Sequence, residues 1–203
     1  MKKIQDKLAL RRAKTQQLSE KLLSMGYQKT DLTISVQKAN TSAALTAAPL
    51  VMCVVVLYLL TAGWQGLLNV EWDLLGVIIL LLIIVHELIH GLFFALFAPS
   101  HSRAVTFGMM WKSLNPYCYC AEPVNKVQYL IASLAPCFIL GVATGAAAIA
   151  TGSATWLLGC VVSLLCASGD LLVALKLISF IPEGKDALFV DHPDLPGLMA
   201  FVK

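Results

Sequence analysis

The chain has 203 residues, of which 58% are hydrophobic and 13% charged, with a mean hydropathy of +0.77. Soluble domains hold about 45–50% apolar and about 25% charged residues, so the composition excludes an ordinary soluble domain and points to one compact membrane unit. The formal charge of +3 gathers in segments flanking the apolar runs, which reads as a topology signal and excludes nucleic-acid binding.

Residues 1–40 are polar and basic and too long for the charged start of a secretory signal, so the first apolar run is expected to stay in the mature protein. Within them, residues 3–25 predict a helix: Ile4, Leu8, Leu18, Leu22 and Met25 recur at roughly helical spacing, and Gly26 is a stop signal. Such a helix either packs on a partner or lies on the anionic inner leaflet.

Four runs approach or exceed the roughly 20 residues needed to cross a bilayer: 42–62, 74–98, 127–150 and 155–180. Lys and Arg crowd residues 1–40, are missing from "GWQGLLNVEWD", return as Arg103, Lys112 and Lys126, are missing from "TGSA", and return as Lys185 and Lys203. This alternation predicts that both termini are cytoplasmic. The expected fold is an all-α membrane protein: a basic cytoplasmic segment (1–40), a four-span core (41–182) and an irregular, proline-containing cytoplasmic tail (183–203). Between spans two and three, residues 103–124 mix β-branched and aromatic residues around "SLNP", which predicts a short β-hairpin or a re-entrant loop.

The six cysteines do not form a disulfide framework. Cys53, Cys137, Cys160 and Cys166 fall within spans, where Cys acts as a small apolar residue. Cys118 and Cys120 fall in a cytoplasmic segment, where thiols stay reduced; two nearby thiols alone specify neither a zinc site nor a redox site.

The second span carries His86-Glu87-Leu88-Ile89-His90. Residues four apart share one helix face, so both histidines can reach one metal ion, and Glu87 beside them can take a proton from attacking water. A charged group at mid-bilayer costs about 2.5–3.5 kcal/mol on insertion scales, so three ionisable residues in such a helix need a reason. Zinc suits two imidazoles plus one further ligand. Asp170, His101, Glu122, Asp186 and His192 are the candidates for the third. Spans two and four run in the same direction, and at a 1.5 Å rise His86, His90 and Asp170 all reach roughly 20 Å from the outer surface. Asp170 is also the acidic residue inside span four, which selects it. Zinc at +2 with ionised Asp170 and Glu87 sums to zero, the least costly state at low dielectric. Ser163, Ala167, Asp170 and Ala174 share one face, and small residues there permit close helix approach, as do Gly141 and Gly145 in span three.

A histidine–glutamate motif of this kind in one span, with an aspartate in a later one, resembles the site-2 protease type of intramembrane zinc metalloproteases. The stretches "HELIHGLFF", "NPYCYCAEPV", "YLIASLAP" and "SGD", over roughly residues 86–172, resemble more closely a small bacterial family of zincin peptidases of unknown function. The resemblance implies zinc ligation by His86, His90 and Asp170, and catalysis by Glu87. The site-2 protease pattern around its aspartate, an Asn-Pro element leading into Leu-Asp-Gly, is replaced here by "CASGDLL".

The expected function is zinc-dependent hydrolysis of peptide bonds in membrane-protein or peptide substrates, near the cytoplasmic face of a bacterial cell membrane. Residues 103–124 offer a strand edge to an extended substrate, and Asn115 is either a hydrogen-bond donor there or a turn residue. The rival readings are a non-catalytic chaperone or regulator with a structural metal, and a metal transporter. Four spans with no repeat and one polar cluster fit a transporter poorly. The oligomeric state is not encoded in any motif.

Overall fold

The computed structural model describes residues 2–34, 36–110, 115–184 and 186–203. Among these, six α-helices and five strands follow in the order α1 (Lys2–Ser24), β1 (Gln28–Thr33), α2 (Val36–Ala62), α3 (Trp72–Phe97), β2 (Val105–Met110), β3 (Asn115–Cys120), α4 (Lys126–Thr151), α5 (Ala154–Cys166), α6 (Ser168–Ser179), β4 (Ala187–Asp191) and β5 (Gly197–Val202). Three helical stretches are long and apolar enough to cross a membrane: Leu45–Ala62, Trp72–Phe97 and Lys126–Thr151. The α5–α6 pair makes a fourth if it is taken as one span bent by 44°.

The span expected over 155–180 is formed by two helices that meet at a bend. The Ser168 hydroxyl donates to the Leu165 carbonyl at 2.6 Å, and a side chain that takes up a backbone carbonyl bends a helix. Gly169 follows, where backbone freedom lowers the cost of the break. The break puts Asp170 in the first turn of α6, where a carboxylate complements the helix dipole.

The expectation of an all-α protein is corrected as well: the chain is mostly helical but contains two small sheets. β2 and β3 form the expected hairpin, with Phe107 opposite Cys118 and Thr106 opposite Tyr119. The tip residues of "SLNP", Ser113 and Leu114, and the Asn115 side chain lie outside the described residues. The tail, read as irregular, folds into β4 and β5. These join β1 in an antiparallel sheet of order β1-β5-β4, with Lys29 opposite Phe201. Strand residues alternate between faces. Leu198 and Ala200 turn to a core with Leu32, Phe94, Val124, Leu177 and Phe189, while Met199 and Phe201 pack with Val190 and Leu22 of α1. The sheet is thus sandwiched between α1 and one end of the helix bundle.

That same end carries the hairpin. Arg11 of α1 stacks over Tyr119 at 4.0 Å and Tyr117 at 4.8 Å, and the Thr15 and Tyr119 hydroxyls share a hydrogen bond. Arg12 pairs with Asp194 at 2.9 Å. The Lys126 ammonium donates to the Phe180 and Ile178 carbonyls, closing the C-terminus of α6 against the start of α4. A reciprocal Asn125–Gln128 capping box starts α4, and Gly152, in left-handed conformation at φ 62°, ends it. At the opposite end, the Tyr58 hydroxyl donates to the Gly152 carbonyl and the Glu71 N–H to the Thr155 hydroxyl, bringing the two Lys/Arg-free turns together.

Small residues set the helix spacing. A Cβ on Gly141 would meet Leu164 at 3.0 Å, and one on Gly159 would meet Ile78 at 2.9 Å. Gly159→Val is expected to force α5 off α3 and destabilise the fold by about 1–3 kcal/mol, read as a lower thermal midpoint in detergent. An unchanged midpoint would refute the tight contact.

Candidate metal centre

α3 presents His86 and His90 one turn apart on its buried face, each 7% exposed, while the neighbouring Leu88 and Leu92 point outward. Asp170 arrives from α6, which packs mainly on α2 and α4 and reaches α3 through this side chain. The close approach of span four to α3 comes in α5, where a Cβ on Gly159 would meet Ile78, rather than in α6, where Asp170 and Ala174 of the expected small face lie.

Three donor atoms converge. His86 Nε2 lies 3.1 Å from Asp170 Oδ2 and 3.1 Å from His90 Nε2, and His90 Nε2 lies 3.3 Å from Asp170 Oδ2. Bonds of about 2.0–2.1 Å to a tetrahedral zinc put its ligands about 3.3–3.4 Å apart, so the triangle already has nearly the right edges. The electron pairs fit too. His90 Nδ1 donates to the Ala132 carbonyl at 2.8 Å, which leaves a lone pair on Nε2 of the neutral ring. That lone pair faces a carboxylate oxygen and a second imidazole nitrogen, and a cation between them satisfies all three. Asp170 keeps 28% side-chain exposure, which leaves the cluster open on one side.

The carbonyl that holds His90 has its own local cause. Ala132 lies four residues before Pro136, which has no N–H to complete the helical bond and whose ring crowds that carbonyl. "ASLAP" thus frees one acceptor on the inward face of α4 and turns it on His90. Partners of this kind fix ring orientation, and losing them costs about 10–100-fold in metal affinity. Pro136→Ala is expected to weaken zinc binding by about tenfold in chelator competition, with the helix intact by circular dichroism. Unchanged affinity would show that the carbonyl's second bond is unimportant.

Glu87 is half-buried beside the cluster, facing the Cys118 N–H of β3. The hairpin seats against α3 here: a Cβ on Gly91 would strike the Phe107 ring, and Phe107 is the cross-strand partner of Cys118. The Ala121 N–H bonds to the Ala104 carbonyl. By antiparallel alternation, the N–H groups of Cys118 and Cys120 therefore point away from β2, along its open edge. Pro116 occupies the same edge, where a missing N–H disturbs no ladder.

The other candidates lie elsewhere. His101 bonds to the Ala95 carbonyl, Glu122 accepts from the Ser100 N–H, His192 accepts from the N–H groups of Asp194 and Leu195, and the Asp186 backbone pairs with Lys203. Among the described residues, no third donor joins Cys118 and Cys120 in a metal-holding group. Burial and the nearby Asp191 carboxylate push the Cys120 thiol up to about 12 and raise Cys118 as well, which keeps both protonated. The Ala132 carbonyl, the Cys118 N–H and Asp191 escape a reading by side-chain motif. Of these, the carbonyl leaves a trace in the sequence, the proline four residues later.

No curated protein and no solved structure matches the chain. A family model described as "Putative zincin peptidase" matches residues 79–184, a little over half the chain, and this stretch contains His86, Glu87, His90 and Asp170. Zincins are zinc peptidases built on such a helical histidine pair, in keeping with the donor triangle; the chain belongs to this zincin peptidase family.

Proposed function

We propose that the chain is a zinc-dependent metallopeptidase that cuts membrane-protein or peptide substrates within the membrane, near its cytoplasmic face. The observation that carries this reading is the triangle of His86, His90 and Asp170 donors with Glu87 beside it, built on α3, apolar enough to cross a bilayer, and on the bent α5–α6 pair. The orientation draws support from the fold. The three Lys/Arg-bearing segments gather at one end of the bundle, and the two Lys/Arg-free turns meet at the other. The positive-inside rule then assigns the charged end, with both termini, to the cytoplasm.

His86, His90 and Asp170 would hold the zinc ion. Bound there, zinc supplies Lewis-acid polarisation of the scissile carbonyl and acidifies water. Glu87 takes the proton of the attacking water and delivers it to the leaving amine. The Ala132 carbonyl keeps the His90 ring in one tautomer and orientation. A transmembrane helix hides its peptide bonds, so a substrate must unwind before attack. The outer edge of β3, whose N–H groups are engaged by Glu87 and Asp191, offers an unwound segment the carbonyls of Pro116 and Cys118 as backbone partners beside Glu87.

The test is direct. The purified protein should carry zinc by elemental analysis and cleave peptides that span a detergent micelle or vesicle, with cuts near the cytoplasmic end of the peptide. Protein that carries no zinc and cuts nothing would overturn the reading.

A further inference from the structure

Asp191 ends β4, beyond the stretch matched by the family, and its side chain is buried. A buried carboxylate needs partners for both oxygens. Oδ1 accepts from the Tyr129 hydroxyl at 2.5 Å, and Oδ2 accepts from the Cys120 N–H at 2.7 Å. The two donors belong to the two elements flanking the centre. Tyr129 lies about one turn before Ala132 on α4, and its ring meets Phe94, one turn beyond His90, edge-on at 5.4 Å. Cys120 lies on the open edge of β3, two residues from Cys118, whose N–H faces Glu87. Residues two apart in a strand project the same way, so whatever holds the Cys120 N–H also holds the Cys118 N–H in place.

We propose that Asp191 is a positioning residue for the centre: its carboxylate clamps the open edge of β3 to α4 and so sets where that edge stands against Glu87. The C-terminal sheet then becomes part of the site rather than an appendage. The position itself has no need of charge for packing, since Phe189, Leu198 and Ala200 already fill the core there. Asparagine keeps the shape, one acceptor oxygen for the Cys120 N–H and an amide N–H that can donate to the Tyr129 hydroxyl, so it is a fair isostere. The functional meaning of the clamp rests on the metallopeptidase reading; its geometry does not.

The test uses full-length, zinc-loaded protein in detergent, with alkylation of each cysteine followed by mass spectrometry. Cys118 is half-buried on the clamped strand, while Cys137 and Cys160 are buried in the α4–α5 contact and report general loosening. Asp191→Ala is expected to raise the Cys118 rate about tenfold through local opening while Cys137, Cys160 and zinc content stay unchanged. Asp191→Asn restores most of the protection. Peptide hydrolysis by Asp191→Ala falls about tenfold in kcat/KM, mainly through KM. An unchanged Cys118 rate overturns the proposal, and so does a rise of all three cysteines together. Should Asp191→Ala fail to fold, Tyr129→Phe, which removes one of the two bonds, decides: a selective rise at Cys118 supports the clamp, and no change sinks it. Wild-type protein that holds zinc but cuts no peptide defeats the metallopeptidase reading, while the labelling pattern still decides the clamp.

Discussion

Glu87→Gln protein is expected to bind zinc as the wild type does, yet to hydrolyse a transmembrane peptide about a thousandfold more slowly, within the 10²–10⁴-fold typical of a lost general base. The two halves of this result separate ligand from base. Glu87 stands outside the donor triangle, which closes with His86, His90 and Asp170 alone. Glutamine keeps the size of the side chain and its ability to accept from the Cys118 N–H, but it cannot hold the transferred proton. If glutamine lowers zinc content as well, Glu87 is part of the metal site and its role as base is wrong. If the variant cuts as fast as wild type, the base lies elsewhere. A structural metal site in a non-catalytic protein would show no hydrolysis in either form, which is how this variant separates the rival reading.

What the sequence made legible follows from how far apart the relevant residues lie. His86 and His90 share a helix face by local geometry, and the run from Trp72 to Phe97 is apolar enough to declare itself. Asp170 is reachable because two runs expected to cross in the same direction fix depth to within a turn. The bend before it is not, because Ser168 reads as one more small residue until its hydroxyl is seen on the Leu165 carbonyl. The tail misled for a different reason. Pro193 and Pro196 mark the β4–β5 turn, and their density masks "GLMAFV", a strand apolar on both faces because α1 covers one side and the bundle the other. An apolar run of that kind has no alternation to find. β1 gives still less signal: "QKTDLT" is polar, and its partner lies at the other end of the chain. The all-α expectation failed because its sheet is assembled from sequence-distant pieces, each too short to be read alone.

Asp170→Ala is expected to lower zinc affinity by more than about a hundredfold, beyond the range of a lost outer partner, because it takes away one of three ligands and the charge that offsets the metal. Two neutral imidazoles would then hold a dication inside a low-dielectric bundle with Glu87 as the one remaining counter-charge, an arrangement that favours release. The backbone at this point has its own anchors. The Ser133 hydroxyl donates to the Asp170 carbonyl and the Thr46 hydroxyl to the Ser168 carbonyl, both at 3.4 Å, so the start of α6 stays in place when the side chain goes. The fold should therefore survive, and chelator competition should report on the ligand rather than on unfolding. Asp170→Asn keeps an oxygen in position without the charge and belongs between wild type and alanine. Parallel alanine variants of His101 and Glu122 should bind zinc normally, since the first bonds to the Ala95 carbonyl and the second to the Ser100 N–H, away from the triangle. Wild-type affinity in Asp170→Ala would refute the third ligand. Such a result together with a loss in the Glu122 variant would move that ligand to the loop after β3 and detach α6 from the chemistry.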